Sequence, residues 1–323
     1  MAKRYARVLK FVSEAPWAIL PARLDTILEV MELRVNGQMF TDEEIQARIG
    51  AGPRAPVATG GPIAVLPLHG VISPRMNMMT QVSGGTSAET FGRVFRAAIA
   101  DPEISAVVLD VDSPGGSIFG VEELAAIIRS ARGRKPVVAV ANTLMASAAY
   151  WIGSQADEII ASPSAQVGSI GVICVHRDVS AAEAKLGIKT TLVTAGKYKG
   201  DGSEHEPLSD TAKASMQRMV DTYYAAFVQD ISRGRAVTTA EVREGYGEGD
   251  VLSAKDAFKA GMIDGIGTLE QAIVRLASGS KRVSMKAEEE PPAVTAAAAE
   301  PPSLPRAELE EIADFRRRLA ALV

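Results

Sequence analysis

From Ile63 onward, short uncharged segments rich in β-branched residues alternate with amphipathic segments of helical period. Residues 105–116 have the pattern of a buried strand that runs into a glycine-rich turn, and residues 136–141 that of another strand. Before the first of these strands, residues 88–100 repeat apolar side chains every three to four positions, as one face of a helix does. Uncharged strands between helices are typical of a parallel sheet covered on both faces, so this order predicts an α/β protein.

The other elements of this region follow the same two patterns. Further strands are predicted at residues 63–72, 158–162, 168–175 and 189–196, and further helices at residues 121–131, 145–155, 210–235 and, twice, within 253–277. No internal repeat of fixed period interrupts this order.

The first 50 residues are predicted to be largely helical. Apolar residues recur at helical spacing at Leu24, Ile27, Leu28 and Met31. Thr41 followed by Glu44 has the spacing of a capping box, which predicts a short helix around Ile45. A linker rich in Gly, Pro and Ala follows at residues 51–62. We interpret the N-terminal segment as a small packed appendage, and a regulatory pro-segment is the alternative.

The C-terminal part of the chain changes in composition. Residues 286–305 are rich in Pro, Ala and Glu, which predicts a flexible linker before a last helix at 306–322. That helix is either a frayed terminus or an oligomerisation or partner-binding helix. The chain therefore divides into a helical N-terminal segment with its linker (1–60), an α/β domain (61–280) and a flexible tail (281–323).

Composition and charge exclude several classes of protein. The chain of 323 residues has a formal net charge of −4, whereas a nucleic-acid-binding surface is usually basic. Its one cysteine excludes an intrachain disulfide and a cysteine-based metal site, and its three histidines are too far apart for a short metal-binding motif. No apolar stretch approaches the length of about 20 residues that spans a membrane. We therefore expect no metal, no cofactor, no nucleic-acid partner and no membrane anchor.

Three segments carry residues suited to chemistry. Asp112 to Gly116 follow a strand and expose backbone N–H groups, which suits an oxyanion hole or a phosphate site, although many such turns use glycine for shape alone. Ser147 lies among small residues where a strand enters a helix, a position for a nucleophile or simply for close packing. Lys197 and Lys199 follow the strand predicted before them. A lysine there is usually solvated, but a desolvated lysine can act as a general base in place of histidine.

Together these segments resemble the S49 family of serine peptidases, the signal peptide peptidase A group. The resemblance rests on SPGG after a strand, on the run MASAAYWIGSQADEIIASPSAQVGSIGV at 145–172, and on GKYK, all in the family's order. It extends from about Ile63 to Leu276. It implies a ClpP/crotonase-like fold, to which the helical N-terminal segment is appended, and a Ser–Lys catalytic dyad.

The resemblance also implies a role for individual residues. Ser147 matches the nucleophile. Lys199, rather than Lys197, matches the base because it is the lysine of the family's G-x-Y-K pattern. Ser169 matches a serine that hydrogen-bonds the lysine.

The backbone N–H groups of Gly116 and Ala148 match the family's oxyanion hole. The chain departs from the family at one place near the lysine. Family members have an acidic residue and a proline shortly after it, whereas here Glu206 and Pro207 come later, after GDGSEH.

A further segment resembles one branch of the family. Residues 14–21 (EAPWAILP) are similar to the start of phage and prophage capsid-assembly proteases, which cleave scaffold and other head proteins inside the prohead. Together with the expected absence of a membrane anchor, this implies a serine endopeptidase of capsid maturation. Its substrates would be capsid and scaffold proteins, and its location the bacterial host cytoplasm or the prohead. Family members form rings, so a homo-oligomer is expected.

Three other functions remain open at this point. The chain could be a signal-peptide-degrading peptidase of the same family. It could be a crotonase-like acyl-CoA enzyme, whose acids would be Glu122 and Glu123, although these lie on an amphipathic helix and fit a solvated face. It could also be an inert scaffold or capsid-interaction protein.

Overall fold

The structure of the protein is a computed structural model that describes residue 12 and residues 15–35, 62–75 and 85–279. The helix predicted around Ile45, nearly all of the linker at 51–62 and the predicted tail at 281–323 lie outside the described residues.

The described residues form short and long strands in two sheets. The strands are β1 (Trp17–Ile19), β2 (Ile63–His69), β3 (Ile72–Ser73), β4 (Thr86–Ser87), β5 (Ala106–Ser113), β6 (Gly115–Ser117), β7 (Val137–Ala146), β8 (Glu158–Ala161), β9 (Gln166–Gly168), β10 (Val251–Ser253) and β11 (Gly265–Ile266). The helices are α1 (Pro21–Val35), α2 (Ala88–Ala100), α3 (Val121–Arg129), α4 (Ala148–Gly153), α5 (Ser180–Lys185), α6 (Asp210–Arg235), α7 (Thr239–Gly245), α8 (Ala254–Lys259) and α9 (Leu269–Ala277).

The larger sheet is mostly parallel and is built around β7. Strands β2, β5 and β7 lie side by side in parallel. On its other edge, the long β7 pairs first with β8 and then, nearer its C-terminal end, with β9. Strand β10 extends the sheet antiparallel to β9, and β11 extends it parallel to β8. The end of β7 that carries Ser147 is therefore held by a strand on each side.

The smaller sheet has the order β1-β6-β3-β4. Strand β6 contains Gly116 and is parallel to β3, whereas β1 pairs with it antiparallel. The register between β5 and β7 shifts between Val111 and Ser113, just where the chain leaves the larger sheet for β6. This irregularity turns the glycine pair out of the larger sheet toward the end of β7.

Both faces of the larger sheet are covered. On one face, the apolar sides of α2, α3, α4 and α6 pack on alternate residues of the central strands to form the main core. On the other face, residues such as Val108 and Val140 pack against α9. Burial on both faces explains why these strands are rich in β-branched residues, with the carboxylates of β5, Asp110 and Asp112, near its C-terminal end. The predicted α/β class with a parallel sheet is confirmed.

The structure corrects four element predictions. Residues 189–196 form no strand within the chain and are exposed. Of the strand predicted at 168–175, only its start belongs to β9. The helix predicted at 145–155 begins at Ala148, because the two residues before Ser147 still pair with β9. A short strand, β1, lies within the N-terminal segment that was predicted to be helical.

Candidate active site

Ser147 lies at the junction where β7 ends and α4 begins. Its side chain is completely buried, with 0% of the residue exposed. Its N–H donates to the Gly168 carbonyl at 2.7 Å, and its carbonyl accepts the first helical hydrogen bond of α4, from the Trp151 N–H at 2.9 Å. The hydroxyl oxygen lies 3.5 Å from the Gly171 carbonyl, a long contact that leaves it available for chemistry.

The backbone at Ser147 is strained. Its φ of 55° and ψ of −119° fall in a region that residues with a Cβ atom rarely adopt. Ser169 also has a positive φ, 54°, and is one of only four such residues other than glycine in the described parts of the chain. Each such residue costs on the order of 1–3 kcal/mol, and strain of this kind clusters at functional sites. Two of the four are thus serines that the sequence analysis selected for other reasons.

The glycine pair before α3 permits a close approach of three backbone segments. Gly115 has a φ of 98°, and a Cβ atom added there would lie 2.2 Å from the Ala18 carbonyl oxygen and 3.0 Å from the Ser147 Cβ. A Cβ atom added at Gly116 would lie 1.9 Å from the Ile72 carbonyl oxygen. Only glycine fits either position, and the predicted oxyanion residue Gly116 thereby comes next to the segment that carries the serine.

A buried polar junction fixes α4 behind Ser147. The carboxylate of Asp230 on α6 accepts hydrogen bonds from the Trp151 indole at 2.9 Å and from Arg129 at 3.0 Å. The Trp151 ring stacks on Phe227 with 4.4 Å between ring centroids. These contacts tie α4 to α3 and α6, so the position of the serine depends on a helix far away in sequence. Sequence analysis did not identify Asp230, whose only signal was a carboxylate at a position of α6 that faces the core.

Tyr150 provides a second anchor for α4. Its ring is fully buried, and its hydroxyl donates to the Met262 carbonyl at 2.8 Å. Burial raises the pKa of this phenol well above its ordinary value, an effect that nearby Arg235 partly offsets. The hydroxyl therefore remains a neutral donor at physiological pH.

The structure brings Ser147, Ala148, Gly116 and Ser169 into one region of the fold. Ala148 is the first residue of α4, so its N–H has no acceptor within the helix. Ser169 directly follows β9, is buried, and donates its N–H to the Asp250 carbonyl at 2.6 Å. Four of the five predicted site residues therefore lie at the C-terminal ends of β7 and β9 or on the adjoining β6.

Lys199 does not join them within one chain. The described residues include no hydrogen bond from Lys199 to Ser147 or Ser169, and the lysine is exposed. It belongs to a segment, residues 176–209, that we call the exposed arm. All residues of the arm are described, and none of their side chains is buried.

The exposed arm carries large apolar side chains. Leu186, Ile188 and Val193 are 76%, 51% and 94% exposed. The arm is held together by polar contacts of its own, among them a 2.8 Å contact between His205 and Glu183. An apolar surface of this kind on an otherwise polar segment marks a place of contact with another molecule.

The described residues also form a surface pocket away from the candidate site. A surface pocket of about 900 Å³ is lined by Arg134, Glu158 and Arg275 among others and contains none of the predicted site residues. The described residues contain no group of three or more His, Cys, Asp or Glu side chains arranged to hold a metal ion. Within the same residues, none of the helices combines the length and apolar character needed to cross a membrane.

Comparisons with known proteins identify relatives of this chain. The model of peptidase family S49 matches residues 129–284, a range that includes Ser147, Ser169 and Lys199. Capsid assembly protease C of Escherichia phage lambda is 32% identical over 239 residues, which are 71% of this chain and 54% of that protein. Head-tail preconnector protein GP5 of Enterobacteria phage P21 is 30% identical over 216 residues, 67% of this chain and 43% of that protein.

A relative outside the phages is similar to the same degree. Protease 4 of Salmonella typhi is 32% identical over 229 residues, 71% of this chain and 36% of that protein. The chain thus spans about half, or less, of the length of these three relatives.

Proposed function

Because the chain contains a peptidase family S49 domain, we propose that it is a serine endopeptidase in which Ser147 is the nucleophile and Lys199 the general base. One observation carries the proposal. Ser147 is held in a strained conformation at the end of β7, beside the glycine pair and within the residues that match the peptidase family. Strain at a buried serine next to backbone donors is a costly arrangement that architecture alone does not require.

The proposed mechanism assigns one step to each group. Neutral Lys199 takes the proton of the Ser147 hydroxyl as that oxygen attacks the scissile carbonyl carbon. The N–H groups of Gly116 and Ala148 hold the resulting oxyanion, and each such donor typically contributes about 3 kcal/mol. Lys199 then gives the proton to the leaving amine, and water hydrolyses the acyl-enzyme. Ser169 orients the lysine amine and favours its neutral form.

We further propose that Lys199 reaches the serine of a second copy of the chain. Within one chain, Ser147 is enclosed, whereas Lys199 stands on the exposed arm without contact to it. The apolar side chains of the arm, such as Leu186 and Val193, would be covered by the neighbouring copy. A homo-oligomer would therefore complete the site and enclose the lysine.

The proposed biological role is cleavage of scaffold and other head proteins during capsid maturation, in the bacterial host cytoplasm or inside the prohead, without a cofactor. The similarity to capsid assembly protease C and to head-tail preconnector protein GP5 supports this role. The similarity to Protease 4 favours the alternative within the family, a peptidase that degrades signal peptides.

A fluorophosphonate probe tests the enzymatic class directly. We expect the wild-type chain to be labelled at Ser147 and the Ser147→Ala variant to remain unlabelled. An acyl-CoA enzyme of the crotonase type or an inert scaffold protein would not react at that serine, so the proposal is contradicted if the wild type and a variant that displaces β1, Ala18→Arg, both remain unlabelled.

Incubation with candidate substrates tests the role. The wild-type chain and Ser147→Ala are each mixed with the capsid and scaffold proteins encoded beside it, and in parallel with signal peptides. Mass spectrometry then locates the cuts. Cleavage of head proteins only by the wild type supports the capsid role, whereas cleavage of signal peptides alone supports the alternative.

A further inference from the structure

Strand β1 of the N-terminal segment lies across the candidate active site. It pairs antiparallel with β6, placing Trp17 opposite Ser117 and Ile19 opposite Gly115. On its other side, Trp17 exchanges two hydrogen bonds of 2.8 Å with Ile173, in the segment that follows β9. The strand thus fills the gap between β6 and the backbone beyond Gly171, whose carbonyl is the nearest polar contact of the Ser147 hydroxyl.

The register of this pairing places one carbonyl at the predicted oxyanion donor. Leu20 donates its N–H to Pro114, and Ile118 donates its N–H to Pro16. Hydrogen-bonded pairs alternate with non-bonded pairs in antiparallel strands, so the residue pair between these two is also a bonded one. That pair is Ala18 with Gly116. The N–H of Gly116 therefore donates to the Ala18 carbonyl. The oxygen of that carbonyl and the Ser147 Cβ both lie beside Gly115, 2.2 Å and 3.0 Å from where a Cβ atom added there would be.

The side chains of β1 point in two directions. Ala18 packs into the main core of the catalytic domain. Trp17 and Ile19 pack instead into a separate cluster, which we call the N-terminal cluster. Its buried members are Val12, Ala15, Trp17, Ile19, Leu24, Ile27, Leu28, Val30, Met31 and Val71. The small side chain of Ala18, whose carbonyl meets Gly116, thus points into the domain. The larger side chains of Trp17 and Ile19 point to the outer side of the strand.

Several contacts outside β1 hold it in place. The Trp17 indole N–H donates to the Val12 carbonyl at 2.8 Å. The N-terminal cluster packs against Ile173 and Val175, which directly precede the exposed arm. Arg177 forms an ion pair with Glu32 of α1. Strand β1 is therefore held both by helix α1 and by the segment around Ile173, on the side opposite β6.

We propose that residues 16–20 occupy the peptide-binding groove of this site as a built-in, substrate-like strand that excludes other polypeptides until it is displaced. By the same geometry, the groove takes an extended chain that pairs antiparallel with β6 and has a small side chain, as Ala18 does, before the bond to be cleaved. This inference rests on the proposed peptidase function, because it takes Gly116 and Ser147 as the reacting centre. It gives the N-terminal segment a regulatory role.

A binding experiment tests the occupancy without requiring activity. The full chain carrying Ser147→Ala is compared with the same chain that also carries Ala18→Arg, since an arginine does not fit the buried Ala18 position and should expel the strand. The probe is a fluorescent peptide of residues 12–24. We expect it to bind the Ala18→Arg form at least tenfold more tightly, and the same peptide with Ala18→Arg not to bind.

A matched control uses the same substitution nearby. Ala22→Arg, at an exposed position of α1, should bind the peptide no better than the parent chain. Circular dichroism establishes that Ala18→Arg is folded, and Trp17→Ala replaces it as the displacing variant if it is not. The proposal is overturned if the displaced form and the parent form bind the peptide equally, or if neither form binds it.

An activity experiment separates this inference from the proposed function. With an unstructured protein substrate, Ala18→Arg on the wild-type background should cleave at least tenfold faster than the wild type or Ala22→Arg. Equal rates in all three overturn the inference and leave the peptidase function intact. If none of the three cleaves or reacts with a fluorophosphonate, the proposed function fails, and the peptide-binding result still decides whether β1 occupies a groove.

Discussion

Ser147 is enclosed between the ends of two strands and a buried helix, whereas Lys199 stands on an arm in which no side chain is buried. The serine is positioned by contacts that its own chain supplies, including the pairing of β7 with β9 and the Asp230 junction behind α4. The exposed arm is held by polar contacts within itself and by the ion pair of Arg177 with Glu32 of α1. If the proposed assembly holds, one half of the dyad is built by folding and the other half by contact between copies of the chain.

Replacing the nucleophile should have the largest effect. Ser147→Ala is expected to lower kcat for a peptide substrate by about 10⁶-fold, as removal of a catalytic serine does in other serine peptidases. Its free energy of unfolding should hardly change, because the hydroxyl makes only a 3.5 Å contact. Steady-state kinetics and thermal unfolding measure the two quantities, and an active Ser147→Ala would place the nucleophile elsewhere.

Replacing the lysine tests whether the two halves come from different copies. Lys199→Ala should lower activity by at least about 10⁴-fold, as loss of a general base does, and Lys197→Ala should retain most of it. Mixing Ser147→Ala with Lys199→Ala should then restore part of the activity. In the mixed oligomer, some subunit contacts bring an intact Ser147 of one copy next to an intact Lys199 of another.

The mixing experiment has a clear contrary result. If the mixture stays inactive although each variant co-assembles with the wild type, the dyad forms within one chain. If Lys197→Ala loses activity and Lys199→Ala keeps it, the assignment of the base is wrong.

The stability of the buried region around Ser147 should depend on the polar junction at Asp230. Asp230→Ala leaves the Trp151 indole without its partner and Arg129 with only Gln155, and should lower the free energy of unfolding by about 3–5 kcal/mol. Asp221→Ala, at an exposed position of the same helix, is the matched control and should change it by less than about 0.5 kcal/mol. Chemical denaturation measures both, and equal effects would mean that the junction does not hold α4.

The exposed half should show the smallest effect on folding and a distinct effect on assembly. Val193→Ser, at a side chain that is 94% exposed, should change the free energy of unfolding by less than about 0.5 kcal/mol but weaken self-association. Val274→Ser removes a second exposed valine outside the arm and should change neither. Sedimentation velocity over a concentration series measures the association, and identical behaviour of the two variants would remove the arm from the interface.

The buried half was also the more predictable from sequence. Strands β5 and β7 lie between two layers of helices, so both of their faces are apolar and the sequence shows it. The predicted α2 has the same basis, since Phe91 and Phe95 on its inner face are buried. Local pattern and tertiary packing agree in such elements, and prediction succeeds.

The elements that the sequence did not reveal depend on distant partners. Strand β1 has three residues, and its partners in β6 and at Ile173 lie about 100 and 150 positions away, so no local pattern marks it as a strand. Residues 189–196 have the composition of a strand but no strand beside them in the chain. Strand propensity reports how well a segment fits a pleated neighbour, and here the chain itself supplies none.

The candidate site divides in the same way. The resemblance to the peptidase family selected Ser147, Ser169 and Gly116, and the fold brings them into one region. Asp230 and Ala18 were missed, because their importance comes from what they touch and not from a pattern around them.

The uncovered segment of the exposed arm also has a practical consequence. Residues 190–195 (TTLVTA) contain no charge, proline or glycine, a composition that favours intermolecular β-pairing when exposed. Lys189 precedes the segment and Lys197 and Lys199 follow it, the positions of gatekeeper charges that oppose stacking. Removing the charge of Lys199 therefore costs solubility as well as chemistry. Lys199→Arg, which keeps the charge but cannot serve as a base at neutral pH, is the variant that isolates the chemical effect.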